Sequence, residues 1–199
     1  MPFVFLIRGA VYFHDHYLLS PWVAIGGGIA ITVVLLFIYM SFLYGRLTGK
    51  LGSSGSLKWR SIMALILVLG YSIYGLVFLS GSNVKHAEIQ KEYRSLHPIL
   101  RLSISTILFL DQEMLLTDAK RQPEDYRRMG LKTKKRSLHY PQKNGFVHAV
   151  DIRTKGRSEI RNFLLINYFK LMGLNTLRHV GTADHLHISL QSPDNPGAI

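Results

Sequence analysis

Six residues able to do chemistry crowd into two short stretches in the C-terminal part of the chain. SLHYPQKNGFVHAVD, from Ser137 to Asp151, holds His139, His148 and Asp151, and DHLH holds Asp184, His185 and His187. Imidazole and carboxylate bind small catalytic metals such as zinc, which in hydrolases takes three protein ligands and leaves a fourth position for a water of lowered pKa. The expectation is one zinc site that draws on both stretches. The chain has no cysteine, which excludes thiolate zinc sites, disulfides and cysteine nucleophiles.

Three strands must position these residues. Phe146 to Ile152, rich in Val, Phe and Ile, reads as a strand ending near Arg153, and Thr176–Val180 and His185–Leu190 read as a strand pair around the turn GTAD. Residues two apart on a strand share a face, so His185 and His187 point together while Leu186 points to the core. Asp151 shares a face with Ala149, and His148 takes the other. This disfavours His148 and Asp151 as joint ligands and favours His139 from the preceding loop, although the sequence leaves the choice of histidine open. Around the strands, apolar residues from Ile99 to Leu110 fit one face of a helix, and Pro123 opens a short helix after a turn in TDAKRQPEDYRRMG. Ser158 and Gly173 bracket a helix with a wide apolar surface from Phe163 to Met172. Helix, strand, helix, strand, strand is an α+β order with an antiparallel sheet.

The N-terminal part is of another kind. Trp22 to Tyr44 and Ile62 to Ser80 contain no charged residue, and at 1.5 Å per residue each run is long enough for a hydrocarbon core of about 30 Å. Two transmembrane helices, 22–44 and 62–80, are predicted, with Gly26–Gly28 and Gly70–Gly75 as small surfaces for helix contact. Residues 1–21, apolar and aromatic but broken by Arg8, His14, Asp15 and His16, lack the order of a signal peptide and read as an interfacial segment on the bilayer. The connection 45–61 carries Arg46, Lys50, Lys58 and Arg60 with no acid around a flexible GSSGS. A short basic loop stays cytoplasmic. That puts the rest outside: a polar, helix-prone stalk at 81–97, the domain at 98–190 and a tail at 191–199. In a Gram-negative bacterium the domain would lie on the periplasmic side of the inner membrane.

TDAKRQPEDYRRMG, then SLH, AVD and DHLH, together resemble the zinc D-alanyl-D-alanine carboxypeptidases and L-alanyl-D-glutamate endopeptidases, a superfamily that includes the hedgehog signalling domain. The resemblance spans roughly residues 98–190. It implies a zinc-peptidase-like fold in which His139, Asp151 and His187 bind one zinc ion. It further implies that Asp184, three residues before the last ligand, is the general base, that Arg121 holds a substrate carboxylate, and that His185 hydrogen-bonds the developing oxyanion. The substrate would be a peptidoglycan peptide. One departure stands out, because eleven residues separate His139 from Asp151 where family members usually have six. An enlarged surface loop costs little; it either reshapes the cleft or marks a homologue that has lost catalysis.

A lone His179, His97 or His86 carries no assigned role. The cluster Lys132–Arg136 reads as a solvated or lipid-facing charge run. Residues 84–199 carry 19 Lys/Arg against 11 Asp/Glu, within a net charge of +12, which suits lipid head groups, an anionic wall polymer or nucleic acid. Three function classes follow. The first is a membrane-anchored zinc metallopeptidase. The second is an inactive peptidase-fold subunit of a membrane complex, held through the two helices. The third, a nucleic-acid binder, rests on charge alone, and the external topology argues against it.

Overall fold

The computed structural model describes residues 2–128, 130, 136–181 and 184–198. The predicted Lys132–Arg136 cluster lies outside the described residues except for Arg136, which is exposed. The chain divides into two compact units, Met1–Tyr74 and Gly75–Ile199.

The first unit begins with α1, Pro2–Tyr17, and α2, Pro21–Thr48, and continues into α3, Ser54–Val77. α2 and α3 are long and apolar enough to cross a membrane. Trp22, Val34, Ile38, Phe42 and Ile66 are exposed along them, as suits helices solvated by lipid. Residues 1–21 do not stand alone as an interfacial segment. α1 buries Leu6, Ile7, Ala10 and Val11, and α2 meets it through glycine: a Cβ on Gly28 would collide with the Leu6 carbonyl oxygen, and one on Gly27 would press into the Phe13 ring at 2.6 Å. Of the glycines expected as contact surface, Gly27 and Gly28 thus serve α1, whereas a Cβ on Gly26 or Gly70 would meet nothing within 4 Å.

The basic connection expected over 45–61 is mostly helix. Its non-helical part is 49–53, because the serines that suggested a linker start α3: Ser53 Oγ accepts the Ser56 N–H at 3.3 Å and the Ser53 carbonyl takes the Leu57 N–H. Gly49, at φ 71°, closes α2 with its N–H on the Gly45 carbonyl. Arg60 folds back over this turn, donating to the Leu51 carbonyl at 2.5 Å with its guanidinium 4.4 Å above the Tyr44 ring.

The second unit is α+β, with helices α4 (Ala87–Glu92), α5 (Pro98–Leu108), α6 (Pro123–Arg128) and α7 (Glu159–Met172). Its strands are β1 (Leu116–Asp118), β2 (Ala149–Arg153), β3 (Asn175–His179) and β4 (His185–Ser189). They form one antiparallel sheet in the order β1-β2-β4-β3. On one face Val150, Ile152, Leu186 and Ile188 are fully buried, as are Ile99, Leu100, Leu102 and Ile104 of α5 and Phe169 and Met172 of α7. α5 is buried on all sides rather than on one face, and Tyr168 ties α7 to it by donating to the Ser103 carbonyl at 2.7 Å. Ser158 and Gly173 cap α7 as expected, the serine accepting the Arg161 N–H and the glycine at φ 90°.

The segment expected as a stalk, 81–97, is part of this unit. Val84 bridges Leu116, and Lys85 N–H donates to the Leu116 carbonyl at 2.9 Å. Val147 and the 95–97 segment exchange two backbone bonds of 2.8 Å. Its buried Ile89, Tyr93 and Leu96 give it a core face that its polar composition hides. The tail is fixed too, since Ser192 and Asn195 both donate to Gln142 Oε1.

Candidate metal centre

The sheet face opposite the core carries the chemistry. Cross-strand register sets Asp118 beside Asp151, Asp151 beside His187 and His187 beside Leu177, so one row of side chains crosses all four strands. The next row pairs Arg153 with His185 and His185 with His179. The period of two puts Leu186 and Ile188 inward and the two histidines of DHLH outward.

His139 reaches this row from a loop that closes on itself. Leu138 O accepts the His148 N–H at 2.9 Å, and between these residues the chain makes a hairpin. In it Gln142 N–H bonds the Phe146 carbonyl, and Gly145, at φ 80°, donates to the Gln142 carbonyl. Gln142 staples the hairpin from inside through the carbonyls of Ser137 and Tyr140. The residues between His139 and His148 are thus taken up by a looped-out hairpin, and His139 stays beside the strand. His148 is held elsewhere: Asn144 donates to its Nε2 at 2.8 Å, and its Nδ1 lies 3.1 Å from the Gln191 carbonyl. Between the two histidines, His139 is the one grouped with Asp151 and His187.

These three form a small buried triangle. His139 Nε2 is 3.2 Å from His187 Nδ1 and 3.3 Å from Asp151 Oδ1, and His187 Nδ1 is 2.8 Å from that oxygen. The residues are 3, 8 and 2% exposed for His139, His187 and Asp151. A metal ion with bonds of about 2.1 Å and tetrahedral angles spaces its ligands by roughly 3.4 Å, close to these edges. The protonation pattern leads the same way. His139 Nδ1 lies 2.6 Å from the Ala119 carbonyl, which only accepts, so Nδ1 carries a proton and Nε2 is the atom presented to a carboxylate and a second imidazole. The three ligand atoms lie close enough together that a metal ion can be held there.

The charged surroundings are organised around Asp151. Arg121 Nη2 donates to Asp151 Oδ2 at 2.6 Å and Arg121 Nε to Asp118 Oδ2 at 2.6 Å, so Oδ1 is left for the triangle. Burial alone would raise the Asp151 pKa, but hydrogen bonds from His139 and His187, with their charge, hold it well below the usual carboxylate range. For Arg121 burial works against the charge, and Asp151 and Asp118 more than offset it, so its pKa is raised. Arg121 N–H also donates to the His139 carbonyl, and Ser137 Oγ accepts the His139 N–H while bonding Tyr126 OH. The serine of Ser-x-His thus fixes the backbone under the ligand.

The remaining predicted residues sit at the margin. His185, with its side chain 27% exposed, stacks on His179 at 4.7 Å and comes within 3.9 Å of Asp151 Oδ2. Asp184 lies at the end of the β3–β4 turn, where its carboxylate accepts the Gly181 N–H and its carbonyl accepts the Thr154 N–H; Thr182 and Ala183 lie outside the described residues. Sequence reasoning missed Asp118 and the Ala119 carbonyl. The first had a faint signal in its i, i+3 spacing to Arg121, and the second has none, since a backbone oxygen is independent of residue type.

No protein-family model, no curated protein and no solved structure matches this chain.

Proposed function

We propose that this chain is a membrane-anchored zinc metallopeptidase that hydrolyses cell-wall peptides, with His139, Asp151 and His187 as the zinc ligands. The observation that carries this reading is the buried triangle, whose edges suit tetrahedral coordination and whose His139 tautomer is set by the Ala119 carbonyl. Zinc bound there would supply an activated water and polarise a peptide carbonyl. The chain's own residues divide the rest. Ala119 O holds His139 with Nε2 presented, and Arg121 holds Asp151 by one oxygen so that the other is presented. His185, on the rim, donates to the carbonyl oxygen as charge develops on it. Asp184 takes and returns a proton as general base, for which its carboxylate must leave the Gly181 N–H. The two long apolar helices anchor the site, and the basic residues around the 49–53 turn favour a cytoplasmic turn and an external domain.

That Gly181 contact also favours a second reading, in which the fold is kept as a binding or scaffold subunit of a membrane complex and the base has become a turn residue. Metal content and cleavage separate the two. Purified full-length protein, metal-replete, is expected to carry close to one zinc per chain, lost in the Asp151→Ala, His187→Ala double variant, and to cleave muropeptides. Zinc without cleavage favours the scaffold. Wild-type protein free of zinc overturns the metallopeptidase reading.

A further inference from the structure

α7 is apolar on two opposite faces, and the core uses only one of them. Asn162, Leu165, Phe169 and Met172 are buried. On the other side Ile160, Phe163, Leu164 and Leu171 stand between 60 and 73% exposed around a lone Asn167. Their spacings of three, four and seven make them neighbours in one stripe along the helix. At 3.6 residues per turn the exposed Arg161 and Lys170 fall on its two edges. The turn after α5 is tied to the start of α7, Arg157 pairing with Asp111 and Arg161 with Glu113, and it exposes Phe109 and Leu110 as well. An apolar surface of this size on a folded unit marks a contact with a partner or a membrane.

The path of the chain names the cover. α3 is long and apolar enough to cross a membrane, and its last turn, Gly75–Val77, already belongs to the second unit. There Arg101 Nη1 donates to the Leu76 carbonyl at 2.8 Å, and a Cβ on Gly75 would come within 3.1 Å of the Leu102 side chain. α5 thus packs directly on the end of α3, and Tyr168 ties α7 to α5. Packed helices lie about 8–10 Å apart, which puts α7 within about 20 Å of the point where α3 ends. Val77 and Phe78 are exposed at that end, as suits a helix leaving a bilayer. Basic edges on an apolar stripe match anionic head groups above acyl chains.

We propose that α7 is a further membrane contact, lying in the head-group boundary of the bilayer with Ile160, Phe163, Leu164 and Leu171 toward the acyl chains. The inference rests on the reading of α3 as a membrane span and is independent of the metal. Its consequence for the site is direct. The triangle occupies the sheet face opposite the one that α7 covers, so a bilayer against α7 leaves the triangle turned toward water.

Single cysteines test this, because the chain has none. Full-length Phe163→Cys and Leu171→Cys proteins, labelled with the fluorophore NBD and reconstituted into phosphatidylethanolamine–phosphatidylglycerol vesicles, are expected to emit blue-shifted and to be quenched by nitroxide lipids. A nitroxide near the head group should quench more than one near the chain end, since an interfacial helix sinks only about 5–10 Å. Leu177→Cys, an exposed apolar position in the row of the triangle, should escape both quenchers. Water-like emission at 163 and 171 overturns the proposal. Blue-shifted emission there without nitroxide quenching assigns the stripe to a second copy or another protein surface, and overturns it too. Ile66→Cys, exposed on α3, reports the span itself: its escape from the chain-end nitroxide is the separate failure of the membrane-span reading.

Discussion

Asp151, the carboxylate of the candidate triangle, has one oxygen committed to an ion pair with Arg121. Asp118 holds Arg121 by Nε, and Arg121 holds Asp151 by Nη2, so the aim of Asp151 Oδ1 depends on Asp118 through Arg121. Outer-shell partners of this kind typically carry a 10–100-fold effect on metal affinity. Asp118→Asn keeps the shape but removes the charge that anchors Arg121. It is expected to weaken zinc binding by about tenfold in competition with a chromophoric chelator, while thermal unfolding of the metal-free protein shifts far less than the zinc-loaded form. Equal loss in both forms would make Asp118 a general stability residue. At this scale the sequence was partly legible. The structure brings His139, Asp151 and His187 together, the grouping the resemblance implies, and strand parity prefers His139 to His148, because a period of two is read directly from residue position. Asp118 and the Ala119 carbonyl were not legible, because their roles arise only when the 118–121 segment zips against His139.

Elements with strong local signals read well, and those defined by tertiary contact did not. α7 has a serine cap and a glycine stop, and β4 alternates around Leu186 and Ile188, so both emerged within a residue or two of their bounds. β1 is three residues long and pairs through an irregular register at Leu116 and Asp118, too short to show periodicity. The 81–97 segment looked like a polar stalk because only a few of its residues, Ile89, Tyr93 and Leu96 among them, are apolar and buried. α1 was read as lying on the bilayer, since nothing in its own sequence names α2 as its partner. The pairing rests on close backbone approach at Gly28, where any side chain meets the Leu6 carbonyl. The cysteine-free chain makes this easy to test. In a Gly9→Cys, Ile31→Cys variant, at positions in van der Waals contact, an oxidant is expected to form a crosslink within the chain. Adding Gly28→Leu should abolish most of it by prying α1 from α2, and crosslinking that survives would show that the helices pair without this approach.

The peptidase reading joins two helices long and apolar enough to cross a membrane to a site that would have a use only on one side of it. Peptidoglycan lies outside the cytoplasmic membrane, so the peptidase reading requires the second unit to be external and the 49–53 turn to be cytoplasmic. Charge supports that arrangement: Arg46, Lys50, Lys58 and Arg60 cluster around the turn with no acid among them, and a short basic connection between spans resists translocation whereas a long domain does not. Arg60 is partly consumed by its bonds to Leu51 and Tyr44, but it keeps its charge and still counts. Single cysteines report the outcome directly, because the background has none. Lys50→Cys in intact cells is expected to resist a membrane-impermeant maleimide and to label only after lysis. Lys143→Cys, whose native side chain is 89% exposed on the hairpin, should label in intact cells once the outer membrane, where present, is permeabilised. The reverse pattern would place the triangle in the cytoplasm, where no cross-linked wall peptide reaches it. A metal site kept there would point to a cytoplasmic peptide or to the scaffold role.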